Sequence, residues 1–206
     1  KLVVVHKPSR SQCQLFTGQL IPGCNDTVLL PYQVGALIFG GTFSSRLVQT
    51  MRVERGLCYG AHSWLSAERI CGGFFTHTDV DAERVDEAVL LLNGLLDEFT
   101  ANGPTPEEFT FARNALLKGM PFGLETACME VAQRVRLRLL GKDPADLDRK
   151  KEMLDSLTLT DVQNAVSGLP DHGQRIMVVV CSFEGETERK LAPILEHFDV
   201  THVGWN

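Results

Sequence analysis

The chain has 206 residues, of which 44% are hydrophobic and 22% are charged, and its formal net charge is −6. These proportions are typical of a globular protein, and the acidic balance without a basic tract excludes an electrostatic nucleic-acid-binding surface. No apolar run approaches the roughly 18 residues that a transmembrane helix requires. We therefore expect no nucleic-acid partner and no membrane span.

The six cysteines are widely spaced along the chain, at Cys13, Cys24, Cys58, Cys71, Cys128 and Cys181. Because no two of them form C-x-x-C, the sequence predicts neither a zinc ribbon nor a thioredoxin-like site. We expect buried free thiols. This pattern favours a reducing compartment such as the cytoplasm and leaves a periplasmic location open.

The N-terminal half of the chain predicts two strands, two helices and a β-hairpin. The strands cover 2–7 and 12–19, the helices run from Asn25 or Asp26 to 39 and from Ser44 or Ser45 to 55, and the hairpin strands cover 57–66 and 70–79. The second strand should end at Pro22-Gly23, a pair typical of turns. Gly56 is suited to the left-handed conformation that ends a helix.

The C-terminal half predicts mostly helices. They run from Asp79 or Asp81 to 101, over 105–118, over 121–140, from 143, from Thr158 or Thr160 to 166, and over 186–198, with strands at 175–182 and 200–205. Thr105 and Glu108 form a capping-box pattern, and Pro106 suits a first helical turn. Hairpins with grouped helices indicate an α+β fold with a mainly antiparallel sheet. We expect one domain over residues 1–206.

Several kinds of catalytic chemistry have no motif in this sequence. The six histidines form no H-x-x-E-H pair, which zinc peptidases use to hold metal, and no G-x-S-x-G marks a serine nucleophile. Gly40-Gly41 is not followed by the Lys-Ser/Thr of a phosphate-binding loop. His62 and His77 fall on the two hairpin strands and can face each other, but such a pair would lack a third ligand. The sequence therefore predicts no metal site.

The most informative segment, at 40–59, reads GGTFSSRLVQTMRVERGLCY. Arg52 lies near the end of its predicted helix, and Tyr59 follows the glycine that stops the helix. Because the helix end and the strand start lie side by side, both side chains can serve one groove. The alternatives are that Arg52 is solvated or pairs with Glu54 or Asp97, and that Tyr59 is half in the core.

The same segment carries a family resemblance, which further segments extend over nearly the whole chain. The matching residues are Gly40-Gly41, Phe43-Ser44-Ser45-Arg46-Leu47, Arg52, Arg55-Gly56-Leu57, Tyr59, Asn25-Asp26, Thr78-Asp79, Thr105-Pro106-Glu107-Glu108, and Leu159-Thr160-Asp161-Val162 before Val178-Val179-Val180. In these residues the chain resembles the C-terminal half of the pitrilysin/insulysin family of zinc metallopeptidases. The closer resemblance is to the branch of the mitochondrial processing peptidase and its bacterial relatives.

The resemblance implies a fold and a division of labour. Two α+β halves, each with helices packed on one face of its sheet, close around an unfolded peptide. The N-terminal half holds zinc through H-x-x-E-H and uses its Glu as general base. Carried over to this chain, Arg52 would bind substrate backbone carbonyls, and Tyr59 would bind substrate and act catalytically as a donor to the oxyanion.

This chain departs from the pattern of the whole enzyme because it lacks H-x-x-E-H. The resemblance thus implies no cofactor in this chain, zinc in a partner that is an N-terminal half or a separate subunit, and no peptidase activity of the chain alone. Because the sequence begins at Lys1 inside an apolar run, we expect a C-terminal domain from a longer chain. The alternative is a non-proteolytic structural subunit like the respiratory-complex core proteins, against which the retention of both Arg52 and Tyr59 argues. Relatives also bind substrate by strand addition, and the sequence leaves open which sheet edge is free.

Overall fold

The computed structural model describes residues 1–22, 26–169 and 174–204, which form one sheet and a set of helices. Its strands are β1 (Leu2–His6), β2 (Gln12–Pro22), β3 (Cys58–Ala67), β4 (Cys71–Asp81), β5 (Ile176–Cys181) and β6 (Val200–Gly204). Three expectations lie outside the described residues: the cap at Asn25, the turn at Gly23 and the end of the last strand at 205.

The strand order in the sheet is β3-β4-β2-β5-β1-β6. Strand β2 pairs antiparallel with both β4 and β5, and β3 pairs antiparallel with β4. Strand β1 pairs parallel with β5 and β6. The expected mainly antiparallel sheet is confirmed, with two parallel pairings grouped at one end, and β3 forms the opposite edge of the described sheet.

The helices are α1 (Asp26–Gly40), α2 (Arg46–Val48), α3 (Val85–Asn102), α4 (Pro106–Gly119), α5 (Ala127–Leu139), α6 (Asp146–Ser156), α7 (Leu159–Ser167) and α8 (Gly185–Leu195). A π-helix over Gln49–Glu54 continues α2, and 3₁₀ turns cover Ala82–Arg84 and Pro121–Leu124. The helical region predicted over 121–140 is divided into a 3₁₀ turn and α5. The helix is interrupted because Thr126 is extended and its hydroxyl accepts a hydrogen bond from the amide of Met129, which caps α5.

Local cap chemistry explains where the other helices begin. The capping box at Thr105 is confirmed at the start of α4. Thr158, rather than Thr160, caps α7 and also forms a capping box. Asp81 caps the 3₁₀ turn, so that α3 itself begins at Val85, several residues later than a cap at Asp79 would give.

The core lies between the helices and one face of the sheet. Leu15, Phe74 and Val179 point to this face and are at most 1% exposed, and they pack in one cluster with Phe39 of α1 and Leu92 of α3. Since strand side chains alternate between faces, the neighbouring residues point the other way. On that opposite face lies a shallow apolar cavity of about 520 Å³, whose lining includes Phe16, Leu20, Phe75, Ile176 and Val178.

Candidate functional site

A close contact between the end of α1 and the edge strand β3 forms the floor of the candidate site. A Cβ atom at Gly40 would lie 2.7 Å from the amide nitrogen of Ser63, so glycine permits an approach that no other residue could make. The Ser63 hydroxyl donates a hydrogen bond of 2.6 Å to the carbonyl of Ala36. Together these contacts hold α1 directly against β3.

The segment that follows Gly41 contains a helix in two parts, α2 and the π-helix that continues it. Ser45 occupies the N-cap position of α2 as predicted, but its hydroxyl donates to the Thr42 carbonyl at 2.6 Å and makes no capping bond. The helix predicted to run to about residue 55 is present, but its second part, Gln49–Glu54, is a π-helix. Wider turns of this kind occur frequently at functional sites.

The end of the π-helix turns the chain into β3. The amide of Arg55 donates to the Thr50 carbonyl at 3.1 Å, and the amide of Leu57 donates to the Met51 carbonyl at 2.8 Å. Gly56 between them has a φ of +58°, so the predicted left-handed stop is confirmed. Met51 is fully buried and fixes the helix against the core immediately before Arg52.

An ion pair anchors the start of the same segment. The Arg46 guanidinium donates two hydrogen bonds of 2.6 Å to Glu108 and one of 2.9 Å to the Gly103 carbonyl. Its Cζ lies 5.1 Å from the ring centroid of Phe99. The hydrogen bonds that Arg46 donates to Glu108 raise the pKa of Arg46, burial lowers it, and the net effect is a raised pKa. Helix α2 is thereby fixed to the junction of α3 and α4.

The structure brings Arg52 and Tyr59 together. The Cζ atom of Arg52 lies 5.3 Å from the ring centroid of Tyr59 and 5.5 Å from that of Phe43. Both rings project from the surface, with Tyr59 89% exposed and Phe43 79% exposed. The guanidinium therefore lies between two aromatic rings, an arrangement stabilised by cation–π attraction.

The polar atoms of this pair are available to a ligand. Among the described residues, no hydrogen bond or ion pair engages the Arg52 guanidinium or the Tyr59 hydroxyl, and Glu54 does not pair with Arg52. The Oδ1 atom of Asp97 instead lies 2.6 Å from Nη1 of Arg175. The alternative of a structural ion pair for Arg52 therefore does not hold in the part of the chain described. The strongly exposed Tyr59 is likewise not a core aromatic.

A cavity of about 380 Å³ surrounds the pair. It is lined by Gly40, Gly41, Thr42, Phe43, Val48, Arg52, Tyr59, Gly60, Ala61 and His62. Sequence reasoning assigned no role here to Phe43 or His62. The available signal for Phe43 was an aromatic residue two positions after Gly40-Gly41, in the turn before the predicted helix. For His62, the strand assignment alone does not show that it borders the groove.

A β-bulge directs Tyr59 away from the sheet. The pairing register between β3 and β4 shifts between Cys58 and Ala61, and the Thr78 hydroxyl donates to the Gly60 carbonyl at 3.1 Å. Bulges at a sheet edge redirect side chains in this way. Because β3 is an edge strand in the described sheet, the cavity opens beside unpaired main chain, and the edge adjoining Arg52 and Tyr59 is the β3 edge.

The histidines of the hairpin do face each other, as the sequence suggested. His62 and His77 are paired across β3 and β4, with ring centroids 5.2 Å apart. His77 also stacks on Phe16 at 4.3 Å, and burial lowers the pKa of His77. Within residues 1–22, 26–169 and 174–204, no three His, Cys, Asp or Glu side chains are grouped so that they could hold a metal ion. In those same ranges, no helix combines the length and apolar character needed to cross a bilayer.

The sequence matches a known family and several curated proteins. The family described as the peptidase M16 inactive domain matches residues 1–116, which include the whole candidate site. A protein of Mycobacterium tuberculosis named as an uncharacterized zinc protease is 27% identical over 128 residues, covering 62% of this chain and 29% of that protein. A Streptomyces coelicolor protein of the same description is 27% identical over 145 residues, covering 69% and 32%. The chain thus spans less than a third of the length of these relatives.

Solved structures share the fold. A peptidase M16 inactive domain from Pseudomonas fluorescens has a TM-score of 0.78 at 24% identity, covering 87% of this chain and 42% of that chain. A protease from Helicobacter pylori has a TM-score of 0.74 at 17% identity, covering 87% and 43%. A chain of Complex III2 from Candida albicans has a TM-score of 0.74 at 14% identity, covering 92% and 48%. With the family match extending over more than half of its length, the chain belongs to the peptidase M16 inactive domain family.

Proposed function

We propose that this chain is the substrate-gripping, non-zinc half of a zinc metalloendopeptidase and forms one C-terminal domain over residues 1–206. The observation that carries the proposal is the pairing of Arg52 with Tyr59 in one cavity, with the polar atoms of both lacking a partner among the described residues. Membership of the M16 family and relatives named as zinc proteases support it.

Arg52 is suited to hold the backbone of an extended peptide. A guanidinium stays protonated and offers five N–H donors in one plane, and a peptide backbone presents a regular series of carbonyl acceptors. The rings of Phe43 and Tyr59 flank the Arg52 guanidinium and restrict its orientation without occupying its donors. Arg52 would thus bind the main chain of the substrate rather than its side chains. The substrate would therefore be an unfolded peptide that can expose its carbonyls.

Tyr59 would donate its phenolic hydrogen to the oxyanion of the tetrahedral intermediate. A donor placed where negative charge develops stabilises the transition state more than the ground state, and removing one such donor typically costs about 3 kcal/mol in the activation barrier. The exposed position of Tyr59 allows it to reach across to chemistry on a second surface. Closure of two halves would then exclude water and strengthen the hydrogen bond.

The metal chemistry would belong to the other half. Since the described residues do not group three candidate ligands, a zinc ion does not fit the described part of this chain, and the zinc-bearing partner would be an N-terminal half or a separate subunit. The residues of this chain would bind and orient the peptide and donate one proton to a hydrogen bond.

The test is peptide cleavage by the full assembled enzyme carrying Tyr59→Phe or Arg52→Ala. We expect kcat/KM to fall about tenfold or more in each variant, because each loses a donor to the reacting peptide. Arg55→Ala is the matched control. Arg55 lies three residues from Arg52, is 58% exposed at its side chain and does not line the cavity, so its loss should change kcat/KM less than twofold, as about 0–1 kcal/mol from an exposed ion pair implies.

Unchanged cleavage in both Tyr59→Phe and Arg52→Ala, with folding and zinc content intact, would reject this assignment. An assembly with no peptidase activity in the unmodified protein would favour the non-proteolytic structural subunit. That alternative draws on the fold shared with the Complex III2 chain from Candida albicans.

A further inference from the structure

Two cysteines meet in the core, away from the candidate site. Gln14 of β2 pairs with Val180 of β5 in antiparallel register. The next position outward therefore places Cys13 opposite Cys181, near the end of each strand. Both cysteines are 0% exposed and point to the core face, so they are neighbours on the same side of the sheet.

The distance between such positions suits a covalent link. Directly opposite residues of an antiparallel pair have Cβ atoms roughly 4.5–5.5 Å apart, and disulfides require Cβ atoms about 3.5–4.5 Å apart. A small approach of the two strand ends is sufficient. The other described cysteines have no such neighbour, since Cys58 pairs with Val80 and Cys71 pairs with Pro22, and Cys128 lies on α5.

The two thiols differ in character. The hydrogen bond between them raises the pKa of Cys13, and burial raises it further. The same hydrogen bond lowers the pKa of Cys181, against the effect of burial. The two sulfur atoms therefore lie within reach of each other, and the thiolate form of either one is the nucleophile.

Both cysteines are buried, but each lies near the end of its strand. Cys13 follows an exposed stretch at 8–12, and Cys181 is the last residue of β5. Fraying at strand ends requires far less free energy than global unfolding. A reagent can therefore reach these thiols through local opening or before folding is complete.

We propose that Cys13 and Cys181 are a disulfide-forming site that links β2 to β5 when the protein meets a small-molecule disulfide. The thiolate of one of these cysteines attacks one reagent sulfur, breaks the reagent S–S bond and releases the first reagent thiolate. The sulfur of the other cysteine then attacks the mixed disulfide, forms the intramolecular S–S bond and displaces the second reagent thiolate. The two protein thiols lose two electrons, the reagent disulfide gains them, and the two protons pass to the released thiols.

The bond would close a loop from Cys13 to Cys181 that contains α1 to α7, strands β3 and β4, and the candidate site. Cross-links that close long loops restrict the unfolded chain most strongly in the chain-entropy model. Oxidation should therefore stabilise the fold without altering Arg52 or Tyr59. This inference does not depend on the proposed function.

The test uses the full-length protein, refolded from denaturant in buffers of graded ratios of oxidised to reduced glutathione, so that burial cannot block the reagent. After alkylation, non-reducing peptide mapping by mass spectrometry should show the Cys13 and Cys181 peptides joined, lighter than their sum by two hydrogens. The unfolding midpoint should rise by about 5–10 °C with the joined fraction.

Cys13→Ala should abolish both the joined peptides and the oxidation-dependent shift, whereas the matched control Cys71→Ala, at an exposed cysteine, should retain both. If Cys13→Ala fails to fold, Cys181→Ala and the peptide mapping of the unmodified protein test the same disulfide. The proposal is overturned if glutathione stops at a mixed disulfide on either cysteine. It is also overturned if no ratio yields the joined peptides, or if the midpoint shift persists in Cys13→Ala.

Discussion

The Glu108 carboxylate accepts two hydrogen bonds of 2.6 Å from the guanidinium of Arg46, and these connect the start of α4 to the segment that carries Arg52. The same carboxylate accepts a third bond, of 2.8 Å, from the amide of Thr105 in the capping box. One side chain thus both begins a helix and fixes the base of the candidate site.

Glu108→Gln should destabilise the protein by about 1–3 kcal/mol at neutral pH, because a charge-assisted, partly buried contact is replaced by a weaker one. The measurement is the free energy of unfolding from urea titration. Glu107→Gln is the matched control, since Glu107 lies in the same first turn but is exposed. Its effect should stay below about 1 kcal/mol, and an equal loss in both variants would contradict the role given to Arg46.

The same contact predicts a pH dependence. Burial raises the pKa of Glu108, but the hydrogen bonds from Arg46 and Thr105 outweigh it, so the folded-state pKa is lowered. A carboxyl group with a lowered pKa contributes stability above its unfolded pKa of about 4.3 and loses that contribution as the pH falls through the folded value. The stability difference between the unmodified protein and Glu108→Gln should therefore shrink on acidification below about pH 4, and a difference independent of pH would refute this.

Gly40→Ala should destabilise the protein by about 1–3 kcal/mol, because the added methyl group must displace either α1 or β3. The added Cβ atom would lie 2.7 Å from the amide nitrogen of Ser63. Gly94→Ala is the control, because Gly94 lies inside α3 with open space around its Cβ position. That variant should gain about 0.5–1 kcal/mol. Chemical denaturation of both separates a packing constraint from a general effect of replacing glycine.

Phe43→Ala should leave stability unchanged and impair function. The ring is 79% exposed, so little apolar burial is lost, but the Arg52 guanidinium loses one of its two flanking rings. A cation–π contact at an exposed site is worth about 0.5–1 kcal/mol, which corresponds to a fall of about two- to fivefold in kcat/KM for peptide cleavage by the assembled enzyme. Phe122→Ala, at a ring that is 72% exposed elsewhere, should have no effect, and a loss in that control would indicate a nonspecific cause.

Local signals in the sequence were sufficient for much of the fold. The capping box at Thr105 and the left-handed stop at Gly56 depend on a few neighbouring residues, and the structure has both. The juxtaposition of Arg52 and Tyr59 follows from a short helix, a stop and a strand, so spacing alone could place them at one edge.

Other features depend on contacts that spacing does not encode. The apolar pattern of Leu47, Val48 and Met51 fits an α-helix as well as a π-helix, so the change at Gln49 was not visible. The parallel pairing of β1 with β5 joins residues more than 170 positions apart, as in Leu2 with Met177. The meeting of Cys13 with Cys181 depends in the same way on the long-range pairing of β2 with β5, and the free edge at β3 depends on the strand order of the whole described sheet.

The π-helix over Gln49–Glu54 makes the aim of Arg52 depend on chain length as well as on residue identity. Each residue of an α-helix advances the side-chain direction by about 100°, whereas a π-turn accommodates an additional residue within its hydrogen-bonded ring. Deleting one residue before Arg52 would let the segment relax into a regular helix and rotate the guanidinium out of the gap between Phe43 and Tyr59. A protein could therefore retain every residue that lines this cavity and still lose the position of the Arg52 guanidinium through a one-residue change in spacing.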